Sequence, residues 1–129
     1  LGPVLRAIFD TNLLIADDVR PVTEEIGISA ISLSELHYGV LVAEPGQRAL
    51  RLRRLAAIES RFSPLPVDSA VARNYGLLAH TVQSSGRNPR ARSSDLLIAA
   101  TALTHEAILY TRNIGDFLGL ESLVDVRPL

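Results

Sequence analysis

The chain contains no cysteine, so disulfide frameworks, zinc–thiolate centres and thiol nucleophiles are excluded. A reducing cytosol suits such a composition, and a cytoplasmic location is expected. Lysine is missing as well: all thirteen residues in the Lys+Arg total are arginine. That removes P-loop phosphate binding and Schiff-base catalysis, each of which requires an ammonium group. There is no GxSxG elbow to set up a serine nucleophile. Long apolar runs are lacking too. The uncharged stretch LLIAATALTH, residues 96–105, is about half the length of a membrane-spanning helix. No charged-then-apolar leader opens the sequence, so a soluble, unexported protein without a membrane partner is expected. The initial LGP reads as a trimmed start and carries no functional reading.

What is present suits one globular unit. The 129 residues, 47% of them hydrophobic, form a single domain, 1–129, able to bury a sizeable core. The net charge of −1 argues neither for nor against nucleic acid, because the distribution of charge matters more than its sum.

VLRAIF (residues 4–9) reads as a buried strand, and TNLLIADD (11–18) as a short helix closed by the DDVRP turn. EIGISAIS (25–32) is rich in poor helix formers and reads as a second strand. Ser32 then opens a helix, SLSELHYGVLVA, that stops near EPGQ. In QRALRLRRLAAIESRF (47–62), Ala49, Leu52, Leu55, Ala56, Ile58 and Phe62 recur at helical spacing with arginines between them, the pattern of an amphipathic helix. SPLPV (63–67) is a short strand bounded by prolines, and DSAVARNYGLLAHTVQSSG (68–86) a long helix with a Ser-Gly stop. RNPRARSS (87–94) reads as an exposed basic loop, SDLLIAATALTHE as an apolar helix and AILYT as a buried strand. RNIGDF is then a loop, FLGLE a helical turn and LVDVRPL a last strand. Strands alternating with helices predict an α/β fold, with a mainly parallel sheet of about five strands covered on both faces.

Four acids sit where a strand ends or a helix begins: Asp10, Glu35, Asp95 and Asp116. Taken singly, each has a structural explanation. Asp10 and Asp116 can cap the helical turns that follow them, Ser32 and Glu35 fit a capping box, and Asp95 is a first-turn acid favoured by the helix dipole. Taken together they suggest more. In an open parallel α/β sheet the strand C-termini and following helix N-termini share one edge, where ligands bind. Carboxylates gathered there repel and raise one another's pKa unless a cation is present. An oxygen-only ligand set points to Mg²⁺ or Mn²⁺. Thr11, Asn12, Ser94, Thr111 and Asn113 flank the acids and can orient carboxylates or water. For these residues the plainer reading is turn chemistry.

The segments IFDTNLLI, ISLSELHYGV, RSSDLLIAATAL and LYTRNIGDF, in this order and spacing, resemble the four acidic motifs of the PIN-domain ribonucleases. Within that group they are most similar to the VapC-type toxins of bacterial toxin–antitoxin pairs. The resemblance covers nearly the whole chain. It implies a three-layer α/β/α sandwich and Mg²⁺- or Mn²⁺-dependent endonucleolytic cleavage of RNA. It also implies a cognate antitoxin that occludes the site, a homodimer and a toxin–antitoxin hetero-oligomer. Asp10, Glu35, Asp95 and Asp116 are then the catalytic, metal-binding acids, with Thr11 and Thr111 as polar neighbours. Some relatives carry a further acid near the position of Asn113, so this chain has the leaner site and leans more on Asp116.

Substrate contacts are expected from Arg87, Arg90 and Arg92, just ahead of Asp95, and from Arg112, since guanidinium forks suit phosphate. Arg48, Arg51, Arg53 and Arg54 on the third helix are a second group able to contact substrate, but they read better as a solvated face or as a surface for an acidic antitoxin segment. His37, His80 and His105 stand alone among helical residues and read as surface or core. A haloacid-dehalogenase-like phosphatase would need a second aspartate where Asn12 stands, and it would need a lysine. A phosphoacceptor receiver domain fails on the same missing lysine. The remaining alternatives are a non-catalytic PIN-like module that binds RNA or protein, and a stand-alone RNA-processing PIN nuclease.

Overall fold

Strand β1 (Arg6–Phe9) alternates its side chains between two cores, and the fold is organised around it. In the computed structural model, which describes residues 6–129, Ile8 joins Leu109 and Leu96 on one face of the sheet. Ala7 and Phe9 join Leu13, Ile108 and Tyr110 on the other. This is the period-two pattern of a strand buried on both sides. The opening LGP, and Val4 and Leu5 of the expected first strand, lie outside the described residues.

After β1 come α1 (Thr11–Ile15), β2 (Glu25–Gly27), α2 (Ala30–Val42), α3 (Pro45–Arg61), α4 (Ser69–Ser84), α5 (Ser93–Thr104), β3 (Ile108–Thr111) and β4 (Val126–Pro128). Short 3₁₀ turns occupy Pro89–Arg92 and Ile114–Phe117. Among the described residues the sheet has four strands in the order β2-β1-β3-β4, and every pairing is parallel. The strand expected at 63–67 is reduced to one bridge between Leu65 and Ser29. Leu65 donates to the Ile28 carbonyl at 2.8 Å and accepts from the Ala30 amide at 2.9 Å. Pro64 and Pro66 on either side have no N–H with which to extend the ladder.

Helices α4 and α5 cover one face through Val71, Leu78, Val82, Leu96 and Ile98. The thinner opposite layer is α1 with Val19 and Val22 of the following loop. α4 is capped by Asp68, whose carboxylate accepts from the Val71 amide at 2.9 Å. The chain leaves it through Gly86 at φ +87°, a conformation glycine adopts without strain. The expected basic loop tightens into the Pro89–Arg92 turn and runs directly into α5. No helix among the described residues is long and apolar enough to cross a membrane.

Two expectations need correction. The second strand ends at Gly27, and α2 begins at Ala30 with Ser29 as its cap, Ser29 Oγ accepting from the Ile31 amide at 3.0 Å. Ser32 is therefore inside the helix rather than at its start. In α3 only Leu55 and Ile58 are buried, while Ala49, Leu52 and Ala56 are exposed. The apolar spacing there is real, but only the half of the stripe nearer the C-terminus meets the body of the protein.

The connections set the position of the site. β1 leads to its neighbour β2 on one side, and β3 leads to its neighbour β4 on the other. The crevice between the C-terminal ends of β1 and β3 is thus the topological switch point, where ligands bind in open parallel sheets. Asp10 follows β1 and Thr111 ends β3. With no exposed surface at all, Leu109 sits at the middle of this pair. Leu109→Ala is expected to lower the unfolding free energy by about 3 kcal/mol, measured as a reduced urea midpoint with an unchanged m-value. A loss below about 1 kcal/mol would contradict the packing described.

Candidate active site

Asp10 is fixed through its amide and both carboxylate oxygens. Its amide donates to the Tyr110 carbonyl at 3.0 Å, continuing the β1–β3 ladder. Its Oδ1 accepts from the Thr11 amide at 2.9 Å, so it does cap α1. Its Oδ2 accepts from the Thr111 hydroxyl at 2.8 Å. The Thr111 oxygen in turn accepts from the Asn113 amide at 2.9 Å. Only 6% of Asp10 is exposed, and the capping role and the place in the cleft coexist.

Glu35 comes from α2 and is held from α1. Thr11 Oγ1 lies 2.7 Å from Glu35 Oε1 and 2.9 Å from Ser32 Oγ. Thr11 has one hydroxyl proton, and the shorter bond to a carboxylate takes it, which leaves Ser32 as the donor to Thr11. The chain Ser32→Thr11→Glu35 thus aims the carboxylate from a fully buried hydroxyl. The capping-box reading of Ser32 and Glu35 is corrected accordingly. Both residues lie one turn apart on the same face of α2, where they meet α1.

Asp95 stands in the first turn of α5 and is half-buried. Burial is the main reason its pKa is pushed up to about 6, and the carboxylates of Asp116, Asp10 and Glu35 add to the shift. Arg92 opposes them. Asp116 lies within the 3₁₀ turn capped by Asn113, so it is not a cap itself. Arg92 ties it down, with Nη1 3.5 Å from the carboxylate and donating to the Asp116 carbonyl at 2.9 Å.

The four acids come together in one cleft of about 390 Å³, lined also by Thr11, Asn12, Ile15, Leu36, Gly39, Arg51, Arg54, Leu55 and Ile58. Thr111 is buried beneath Asp10, whereas Ser94 and Asn113 are exposed outside the lining. None of the three histidines reaches the cleft. The expected arginines largely go elsewhere. Arg87 and Arg90 border a separate hollow with Gln83, Asn88 and Pro89. Arg112 pairs with exposed Asp18 at 2.9 Å, and only Arg92 touches the acidic group. The cleft instead takes two arginines from α3, Arg51 and Arg54. Sequence reasoning ranked these two below the arginines ahead of Asp95, and it missed Ser32 as a support for Glu35. Their signal was present in the Ala43–Glu44 connection, too short to let α3 leave the side of α2.

Among the described residues, no group of three or more acidic, His or Cys side chains is drawn onto a single point as a preformed metal cage. That spacing still fits a hard divalent cation. Mg²⁺ keeps several of its waters and binds through one or two carboxylates rather than a full protein cage. The oxygen-only donor set and the mutual repulsion at Asp95 both favour such an ion.

Residues 7–117 match the PIN domain family. The chain is 33% identical to ribonuclease VapC4 of Mycobacterium tuberculosis over 116 residues, which cover 85% of this chain and 88% of that protein. The structure is similar to that of VapBC-5 from Mycobacterium tuberculosis, a member of the VapBC family of toxin–antitoxin systems, with a TM-score of 0.81 and 31% identity over 96% of this chain and 97% of that one. It is also similar to FitAcB from Neisseria gonorrhoeae, with a TM-score of 0.75 and 25% identity over 93% and 95% of the two chains.

Asp95 has a consequence for stability. A carboxyl whose pKa is raised by folding costs nothing while protonated, near pH 4, and disfavours the fold increasingly as pH rises through about 6. Asp95→Asn is therefore expected to stabilise the protein in EDTA by about 1 kcal/mol above pH 7, a figure already discounted for solvent screening of a half-buried group. It should change little at pH 4. Urea unfolding at the two pH values reads the difference, and an equal gain at both would refute the raised pKa of Asp95.

Proposed function

Because the chain belongs to the PIN-domain family, we propose that it is a Mg²⁺- or Mn²⁺-dependent endoribonuclease and the toxin of a toxin–antitoxin pair. The observation that carries this reading is the convergence of Asp10, Glu35, Asp95 and Asp116, from four separate segments, on one cleft. Those four residues would hold the ion. When bound, it supplies positive charge at the scissile phosphate and acidifies a neighbouring water.

The chain's own groups have distinct tasks. Thr111 and the Thr11 amide keep both oxygens of Asp10 oriented. Thr11, backed by Ser32, does the same for Glu35. Arg92 anchors Asp116. Asp95 lines the same cleft with no hydrogen bond to its carboxylate among the described residues, and it acts as the general base. Water attacks phosphorus as its proton passes to Asp95, the bond from phosphorus to O3′ breaks, and the departing O3′ takes a proton from solvent. The products are a 5′-phosphate and a 3′-hydroxyl, and the RNA 2′-hydroxyl takes no part. VapBC-5, to which the fold is similar, comes from a toxin–antitoxin system, and this supports a small cognate antitoxin that occludes the cleft. A homodimer within a larger toxin–antitoxin complex in the cytoplasm completes the proposal.

Purified protein is expected to cleave RNA with Mg²⁺ or Mn²⁺ and to stop in EDTA. Asp10→Asn and Asp95→Asn should each lose at least about a hundredfold in kcat while remaining folded. A 2′-deoxy substitution at the cleaved position should not block the reaction. Undiminished cleavage by both variants, or cleavage without metal, would overturn the mechanism. Wild-type protein that binds RNA without cutting it would favour a non-catalytic module. Ser32→Ala, which removes the donor to Thr11, should raise the Mn²⁺ concentration needed for half-maximal rate about tenfold at unchanged KM for RNA. An unchanged Mn²⁺ requirement would mean that Glu35 needs no such support.

A further inference from the structure

The acids form only one wall of the cleft. The facing wall is a stripe of α3 in which Arg51, Arg54, Leu55 and Ile58 all line the cavity. They stand at i, i+3, i+4 and i+7, the spacing of one helix face. Leu55 and Ile58, 2% and 8% exposed, seat the helix, and the two arginines line the cavity beside them.

These two arginines differ from the others near the site. Arg92 is committed to Asp116, Arg112 to Asp18, and Arg48 to the carbonyls of Ala43 and Leu41. Arg51 gives one N–H to the Gly39 carbonyl at 2.8 Å, which orients its fork and leaves the other donors available. Arg54 approaches only Asp17, at 3.9 Å, and Asp17 is 92% exposed. Neither guanidinium forms an ion pair with Asp10, Glu35, Asp95 or Asp116 among the described residues. Opposite charges thus line the same cleft without closing on each other. A strand that presents one phosphate to the acids and the adjoining phosphates to the arginines satisfies both walls.

We propose that Arg51 and Arg54 form the substrate-gripping wall of the cleft and bind the backbone phosphates of single-stranded RNA that flank the scissile bond. The more accessible apolar neighbours Ile15 and Leu36 form the surface on which the adjoining base rests. This extends the ribonuclease reading of the same cleft. It also replaces the expectation that Arg87 and Arg90, which border a different hollow, make the phosphate contacts.

The test uses a fluorescein-labelled single-stranded RNA of about fifteen nucleotides, with binding read by anisotropy in an Asp10→Asn background so that the probe stays intact. The dependence of log Kd on log salt counts phosphate contacts, at about 0.7 per contact for single strands. Arg54→Gln, at an exposed position, should weaken binding about tenfold and lower the salt slope by about 0.7; Arg51→Gln/Arg54→Gln should lose more in both. Arg54→Lys should keep the slope, because the charge is retained. With Asp10 intact, the double variant should raise KM about tenfold and leave kcat at saturating RNA within about threefold. Arg73→Gln on α4 is the control for charge alone.

Unchanged affinity, slope and KM in Arg54→Gln and in the double variant would overturn the proposal. So would a loss confined to Arg87→Gln/Arg90→Gln, or variants that keep RNA binding but release an acidic protein partner. If the wild-type protein fails to cleave, the ribonuclease reading falls, and the anisotropy measurement still decides this one.

Discussion

Carboxylates drawn into one cleft repel, and much of the architecture serves to hold four of them there. None could stay in position on a free side chain. Asp10 is bonded through both oxygens, Glu35 is held by a hydroxyl from another helix, and Asp116 is pinned through its own carbonyl. Asp95 has no such bond among the described residues, and burial first and the other three acids second push its pKa up. The least tethered member is thus the one whose protonation the site perturbs. A parallel sheet with its switch point between β1 and β3 provides the crevice in which this can happen.

Most of this frame was legible in the sequence. Alternating strand and helix patterns gave the α/β class, and the four acids were recognisable as one set because each falls at a strand end or in the first turns of a helix. What escaped was decided by contacts between distant segments. Ser29 and Ser32 both satisfy the local rule for a helix cap, but Ser29 takes the Ile31 amide while Ser32 turns inward to Thr11, 21 residues away. SPLPV has strand composition, but its prolines limit it to a single bridge. The arginines were misjudged for a related reason. Proximity in sequence to Asp95 favoured Arg87 and Arg90, whereas proximity in space belongs to a helix folded back by the Ala43–Glu44 turn.

The polar neighbours divide along the same line. Thr11 and Thr111 earn their place through bonds to Glu35 and Asp10, and both are adjacent to the strand ends that define the crevice. Asn113 contributes its backbone amide to Thr111 while its side chain stands exposed. Asn113 is thus a turn residue here, and Asp116 with its Arg92 clamp lines the cleft.

The α2–α3 hairpin has a different mechanical character from the rest. Ser32 is the only residue of α2 that is buried, and α3 buries only Leu55 and Ile58, whereas α5 buries six residues. Cooperative opening units follow the density of such contacts. The hairpin therefore exchanges its amide hydrogens sooner than the sheet and α5. The cleft therefore has one lightly packed side, which holds Glu35, Arg51 and Arg54, and one densely packed side, which holds Asp10, Asp95 and Asp116.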